Sequence, residues 1–541
     1  MVATYAAAAS AMARTPRRLH LLLTLCIVFS AATLSSASTG GDAFVDCLSA
    51  DIPASLIQTP ATPSYSDHLL SSARNLRYVQ PGTPGPAAIV AAAEAAHVQA
   101  AVRCGRRHGV RVRTRSGGHD YEGLSYAALR RGERFAVLDL GALREIRVDA
   151  ARAEAWAGAG ATVGELYYAL GAADPTLGFP ASSCPTVGLG GHLSGGGFGA
   201  LSRKYGLSAD NVIDAVVVDA GGRLLNRSTM GENLFWAIRG GGGESFGVVL
   251  SWKIRLGSVP ETVTVFSIRR LRNQSAVDLI TKWQAISPAL PTDVYLRVLV
   301  QNQHADFVAL FLGRCGGLVD LMRDRFPELG VAAPDCQEMS WVNSTVFFAF
   351  STAGRPVEAL LERGNKPEYY LKVKSDHVQE PIPGSVWERT WTEWLEKPEA
   401  ALIMLDPYGG EMASISPAAT PFPHRKGNLY QLQLYSFWFE NGTAAAEKRM
   451  GWVRGLHDAM EPYVSKNPRA VYVNYRDLDL GTNEVEGNVS SYEKGKVWGE
   501  KYFKGNFERL AAVKSMVDPD DFFRNEQSIP PLPAGKGYSR T

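Results

Sequence analysis

The sequence has almost no charge of one sign in excess: 56 Lys and Arg stand against 54 Asp and Glu, a formal net charge of +2. That balance excludes the basic footprint of a nucleic-acid-binding protein. Long apolar runs are equally scarce. LLLTLCIVFSAATL (21–34) is the longest, and it falls short of the roughly 18 residues that a membrane span needs. After it there is no internal repeat and no long low-complexity segment. A nicotinamide dinucleotide fingerprint is missing as well. AGAGATVGE (157–165) spaces its glycines G-x-G-x-x-x-G, which reads as a strand turning into a capped helix. Cysteine is sparse, at six residues in 541.

Glycine is the opposite case. Fifty-three glycines cluster rather than scatter, which points to loops wrapped around a ligand.

The amino terminus reads as a secretory leader over 1–37. Arg14, Arg17 and Arg18 precede the apolar run, and SSAS (35–38) supplies small residues for cleavage. The expected mature protein is secreted, to the extracellular space or cell wall, with no membrane segment and no nucleic-acid partner. Five N-x-S/T sequons fit that route: Asn226, Asn273, Asn343, Asn441 and Asn488. Cys26 leaves with the leader. Of Cys47, Cys104, Cys184, Cys315 and Cys336, an odd count leaves one unpaired. Cys184 reads as that one, because it lies in the most glycine-rich loop, SSCPTVGLGGHLSGGGFG (182–199). The other four suit two disulfides in an oxidising compartment, with the pairing left open by spacing.

Alternating and helical patterns give an α+β organisation. A helix is expected over 87–108, ending at Gly109, then strands at 110–114, 135–140 and 154–159. Thr162 and Glu165 form a capping box for a helix through Leu170 that stops at Gly171. A strand follows at 212–220, then helix, glycine loop and strand over 233–256. After Pro260 glycine thins, and 257–470 reads as a second, sheet-based domain. The segment 471–541, with a helix around 499–515, reads as a return to the first domain.

RSGGHDYEGLSY (115–126) places His119 and Tyr121 on a bare glycine turn. Gly117 and Gly118 would let backbone N–H groups face an anion. In NLYQLQLYSFW (428–438), alternation puts Gln431, Gln433, Tyr435 and Phe437 on one face, and Leu432 and Leu434 on the other. A polar and aromatic face opposite an apolar one suits a substrate cavity.

Four signatures in order, RSGGHDYEGLSY, CPTVGLGGHLSGGGFG, NLFWAIRGGGGESFGVV and YVNYRDLDLG, resemble the plant berberine bridge enzyme-like family. The similarity runs from about Phe44 to about Pro531. It implies the two-domain vanillyl-alcohol oxidase fold with a PCMH-type FAD domain at about 77–256, within 38–256. It also implies an inserted substrate domain over 257–470, a carboxy-terminal segment over 471–541, and FAD attached twice. His119 matches the histidine bonded to the flavin 8α-methyl, and Cys184 the cysteine bonded to C6; both are nucleophiles suited to an electron-poor ring. Arg115, Ser116, Gly117 and Gly118 match the first flavin loop. Val187, Gly190, Gly191, His192 and Ser194 match the second, with Gly195, Gly196, Gly197 and Phe198. Val248, Asn474 and Asn525 complete the implied cofactor contacts.

The resemblance makes Tyr475 an active-site base, which from about 10 needs a lowered pKa to serve. Gln433 stands where ring-closing alkaloid enzymes carry a glutamate. Gln431 stands where alcohol-oxidising relatives can carry a lysine, and Phe198 replaces a frequent tyrosine. Tyr121 is a substrate-contact candidate. Val187 matches an oxygen-gate position at which valine goes with oxidases. A Cys47–Cys104 disulfide is implied, which leaves Cys315 and Cys336 as the other pair.

The expected activity is a secreted, monomeric FAD-dependent oxidase that passes hydride from a carbohydrate or monolignol alcohol to flavin and reduces dioxygen to hydrogen peroxide. The alternatives are oxidation of a specialised metabolite such as an alkaloid, and a glycosylated wall or pollen protein with mainly a binding role.

Overall fold

Among the described residues, parallel pairing is confined to one small sheet. The computed structural model describes residues 42–130, 132–350, 354–364, 369–533 and 535; the leader and Cys26 lie outside the described residues. In that sheet the strands Ile89–Ala91 and Arg111–Arg115 both run parallel to Phe135–Asp139, and Ile57–Gln58 pairs antiparallel to Ile89–Ala91. The crossover is the helix Ala95–His108, closed by Gly109 in the left-handed region at φ 66°, where glycine has no Cβ to clash. The expected helix over 87–108 therefore begins later. Ile89 and Val90 are buried and paired on both sides, so sheet pairing overrides the helical preference of the alanines around them.

A second, antiparallel sheet carries Glu154–Gly158, Val248–Arg255 and Val212–Val218 as its centre. The capping box is present: Thr162 N–H donates to Glu165 Oε2 (2.8 Å) and Glu165 N–H donates to Thr162 Oγ1 (3.2 Å). The helix it starts, Val163–Ala173, passes through Gly171 instead of stopping there. A Cβ at Gly171 would press on Val342 of the helix Trp341–Phe350, so this glycine serves helix packing.

The inserted sheet has seven antiparallel strands. Its central strands include Val294–Gln301, Leu402–Pro407 and Tyr430–Trp438, with Tyr370–Val378 at one edge. One face buries Leu296, Val298, Leu432 and Leu434 against the helices Ala276–Ile286 and Thr443–Met460. The other face turns toward the second sheet and shares a core with it: Trp252 and Ile254 pack in one cluster with Val263, Val265 and Tyr295. The chain then returns through two helices, Tyr492–Phe503 and Asn506–Val517. The single helix expected there is broken at Lys504, whose φ is 48°.

Both disulfides form, Cys47–Cys104 and Cys315–Cys336, and among the described residues Cys184 is the free cysteine. All five sequon asparagines are exposed. Among the described residues no helix is long and apolar enough to cross a membrane.

Candidate active site

Two glycine loops meet edge to edge under the inserted sheet. The first leaves the strand Arg111–Arg115. A Cβ on Gly117 would collide with the Gly188 backbone, and one on Gly118, at φ 69°, with the Ser72 carbonyl. These two glycines are thus required by backbone packed on backbone, where the sequence alone pointed to a ligand. The N–H groups of Gly117, Gly118 and His119 find no acceptor among the described residues. Ser116 Oγ donates to the Ala159 carbonyl (2.6 Å) and pins the start of the turn.

The second loop brings Cys184 and Thr186 under His119. Thr186 Oγ1 lies 2.8 Å from His119 Nε2 and 3.6 Å from Cys184 Sγ. Burial, aided by the Arg74 guanidinium, lowers the His119 pKa to about 3. The imidazole is therefore neutral at physiological pH and keeps a ring lone pair, the state a nucleophile needs.

Both loops line a cavity of about 420 Å³. The same cavity holds the predicted substrate residues. Gln433 Nε2 donates to Tyr121 Oη (3.0 Å). Tyr121 stacks on Tyr475 at 5.7 Å between ring centroids and meets Tyr435 edge-on at 6.0 Å. Alternation along Tyr430–Trp438 holds, with Leu432 and Leu434 in the opposite core. Gln431 is fully buried behind the cavity wall, where its Oε1 accepts from Tyr408 Oη (3.3 Å).

Tyr475 sits in a turn rather than a strand. Burial pushes its pKa well above the usual value, and the neighbouring Tyr121, Asp406, Tyr472 and Tyr408 push the same way. The lowered pKa that a tyrosine base requires is not what these surroundings produce.

Ser116, Gly118, Val187, Gly190, Gly191 and His192 line the cavity, as do Ser194, Gly195, Phe198, Asn474 and Asn525. Several expected contacts lie elsewhere. Arg115 is a buried strut, paired with Asp139 and donating to the carbonyls of His68 and Leu69 (both 2.7 Å). Val248 points into the amino-terminal core and its neighbour Val249 faces the cavity, as strand alternation requires. Gly117, Gly196 and Gly197 shape the loops from behind; Gly197 N–H donates to Tyr472 Oη (2.8 Å).

Other lining residues were not singled out in the sequence. Asp406 and Arg297 come from neighbouring sheet strands, with Tyr295 beside them. Arg476 pairs with Asp120 (3.2 Å) and Glu244 (2.7 Å), tying the first loop to the carboxy-terminal segment. Behind Tyr121 and Tyr475, Lys372 is bonded to Glu122 and to Asp477 (2.6 Å), all three buried. Lone charged residues on strands carry no local motif, so only the tertiary fold reveals this grouping.

The geometry fits a flavin dinucleotide. Unpaired N–H groups of the first loop suit a pyrophosphate. A Cβ at Gly191 would enter open space in the cavity, so this floor is clear for a flat ring. A nucleophilic imidazole and a thiol stand at one edge.

The comparisons with known proteins agree. The model of an FAD binding domain matches residues 86–228, and the berberine and berberine-like model matches 471–530. The berberine bridge enzyme-like protein Cyn d 4 of Cynodon dactylon is 54% identical over 489 residues, covering 90% of this chain and 93% of its own. The crystal structure of Phl p 4, described as a grass pollen allergen with glucose dehydrogenase activity, superposes with a TM-score of 0.88 at 50% identity, covering 90% of this chain and 99% of that one. A Phl p 4 variant with valine in place of isoleucine is described as a glucose oxidase. Berberine bridge enzyme from Eschscholzia californica gives 0.85 at 36% identity, over 90% of this chain and 99% of its own.

The fold and site are those of a two-domain, PCMH-type FAD-linked oxidoreductase. The chain belongs to the berberine bridge enzyme-like family.

Proposed function

We propose that this protein is a secreted alcohol oxidase that acts on a carbohydrate hydroxyl, with FAD bound covalently through both His119 and Cys184. The observation that carries the reading is the meeting of His119 and Cys184 at one hydroxyl, in the same cavity as Tyr475, Tyr121 and Gln433. FAD, when bound, supplies the two-electron acceptor for the carbinol hydrogen and hands the electrons on to dioxygen.

The chain's own residues hold and orient. The first loop offers its free N–H groups to phosphate oxygens, and His119 and Cys184 fix the ring system by its edge. Residues 257–470 act as the substrate-binding domain, and their sheet roofs the reaction. Tyr475, a neutral phenol, hydrogen-bonds the substrate hydroxyl, and Gln433 holds Tyr121 beside it. A glutamine at 433 supplies no carboxylate there, which disfavours alkaloid ring closure.

Val187 supports the oxidase reading. In a solved Phl p 4 variant described as a glucose oxidase, the introduced valine and histidine stand five positions apart, the spacing of Val187 and His192 here. The testing experiment is direct. Purified secreted protein is denatured in acid, its flavin peptides are mapped by mass, and native protein is mixed with glucose in air. Colour held on both His119 and Cys184 peptides, with hydrogen peroxide produced, is expected. Released flavin would overturn the double attachment; flavin reduction without peroxide would overturn the oxidase assignment.

A further inference from the structure

The chain on either side of the turn that carries Tyr475 also lines a second cavity, of about 500 Å³. That volume falls within the roughly 300–1,000 Å³ of small-molecule sites. The second cavity shares no lining residue with the first. The helix Thr443–Met460 contributes Arg454 and His457, and Arg469 comes from the segment before the turn. Lys374 reaches in from the edge strand Tyr370–Val378, and Lys501 from the helix Tyr492–Phe503.

The cations here keep donors to spare. Arg454 gives Nε and Nη2 to Asp479 (2.9 and 2.8 Å), and Arg469 gives Nε and Nη2 to Asp376 (2.6 and 2.7 Å). Nη1 of each has no acceptor among the described residues, and neither has the Lys501 ammonium. Asp458 and Glu461 also line the cavity, but both are exposed, where water and salt screen their charge.

His457 is the second observation. Its side chain is 8% exposed, yet neither ring nitrogen makes a hydrogen bond among the described residues. Nε2 stands 3.5 Å from Asp376 Oδ2, on the carboxylate that Arg469 already occupies, and Nδ1 stands 3.7 Å from Asp458 Oδ1. Burial lowers its pKa to about 2, and Arg469, Lys374 and Lys501 push the same way against Asp479. The ring is therefore neutral at physiological pH, with one N–H to give. A buried polar group without a partner is rare enough to point to a ligand.

We infer that this second cavity binds the oxyanion of a small molecule, of phosphate type, between Arg454, Arg469, Lys501 and His457. Guanidinium forks and an ammonium recognise such an ion through charge-assisted hydrogen bonds. Lys374, bonded to Asp477 (2.5 Å) and Asp479 (3.0 Å), adds positive charge beside them. The ion is either free phosphate or the head of a phosphate monoester, whose hydroxyls Asp458 and Glu461 would accept. The inference stands apart from the alcohol-oxidase reading, because no residue of the flavin cavity takes part.

The test uses flavin-loaded protein, dialysed free of phosphate and titrated calorimetrically with orthophosphate at constant ionic strength. One saturable site per chain is expected, with a dissociation constant below about 1 mM. Lys501→Met removes an ammonium that no other described group uses, so melting in phosphate-free buffer stays near wild type. Binding weakens about 10–100-fold, the share of a hydrogen bond to a charged group, and Lys501→Arg recovers most of it. Added phosphate raises the melting temperature of wild type more than that of Lys501→Met. Tighter binding of glycerol 3-phosphate than of orthophosphate assigns the site to a monoester, and the reverse order assigns it to the free ion. Absence of saturable binding by either probe, or binding unchanged in both Lys501→Met and Arg454→Gln, overturns the inference and leaves the functional reading standing.

Discussion

The imidazole of His119 and the thiol of Cys184 reach the same hydroxyl, with Thr186 Oγ1 at 2.8 Å from one and 3.6 Å from the other. The two attachment candidates sit 65 residues apart in the chain, and one side chain sets their spacing. His119→Ala is expected to retain flavin on the Cys184 peptide alone, and Cys184→Ala on the His119 peptide alone. The double variant releases its flavin on acid precipitation. Peptide mass mapping checks each, and flavin held covalently by the double variant would sink the assignment.

Val187 borders the cavity between Thr186 and Gly188. Val187→Ile adds one methylene where dioxygen would approach. Reoxidation by dioxygen should slow at least ~10-fold, while reduction of an artificial dye stays near wild type. Stopped-flow reoxidation in aerated buffer separates the two, and equal loss of both rates would reduce Val187 to loop packing.

Tyr475→Phe keeps the ring stacked on Tyr121 and removes only the hydroxyl. One lost buried hydrogen bond to substrate is worth about 1–3 kcal/mol, so the expected fall in kcat/KM is roughly 10–100-fold. A much larger loss, with a pH profile that vanishes, would make Tyr475 the proton acceptor.

Lys372 clamps the two tyrosine-bearing turns through Glu122 and Asp477. Lys372→Met leaves two buried carboxylates short of a cation, a change that costs about 3–5 kcal/mol. Lys372→Arg should recover part of that loss. Denaturant unfolding of the holoprotein measures both, and a neutral Lys372→Met would show that the carboxylates are satisfied by other cations.

Acid should destabilise the fold. Burial holds His377 down to about 3, His192 to about 4 and His457 to about 2, against an ordinary 6.5. Between these values and 6.5 the unfolded chain binds protons that the folded one rejects, so stability falls as pH falls. Each histidine contributes up to about 1.4 kcal/mol per pH unit in its window. Asp376, raised to about 6 by burial, works in the opposite direction below that pH, and the three histidines outweigh it. Melting temperatures taken stepwise from neutral to about pH 5 should decline.

The elements with local chemistry were legible in the sequence. Thr162 and Glu165 cap a helix, Gly109 closes another, and the period of Tyr430–Trp438 puts Gln433 in the cavity and Leu432 behind it. Where the deciding contact is distant, the sequence misleads. Ile89 becomes a strand residue through pairing with Gln58 and Val137. Gly171 stays helical because Val342 needs the room. Asp406 and Arg297 sit in apolar strands with nothing nearby in sequence to mark them.

The cavity wall holds Ser116 and Gly118–Tyr121 from early in the chain and Tyr472–Arg476, Arg524 and Asn525 from its end. A ribosome must therefore deliver about 350 further residues before the first loop acquires Tyr475. Cofactor capture is consequently a late event in the life of each molecule, and a chain cut short anywhere before Tyr475 leaves synthesis with its glycine loops built and no closed chamber for them to serve.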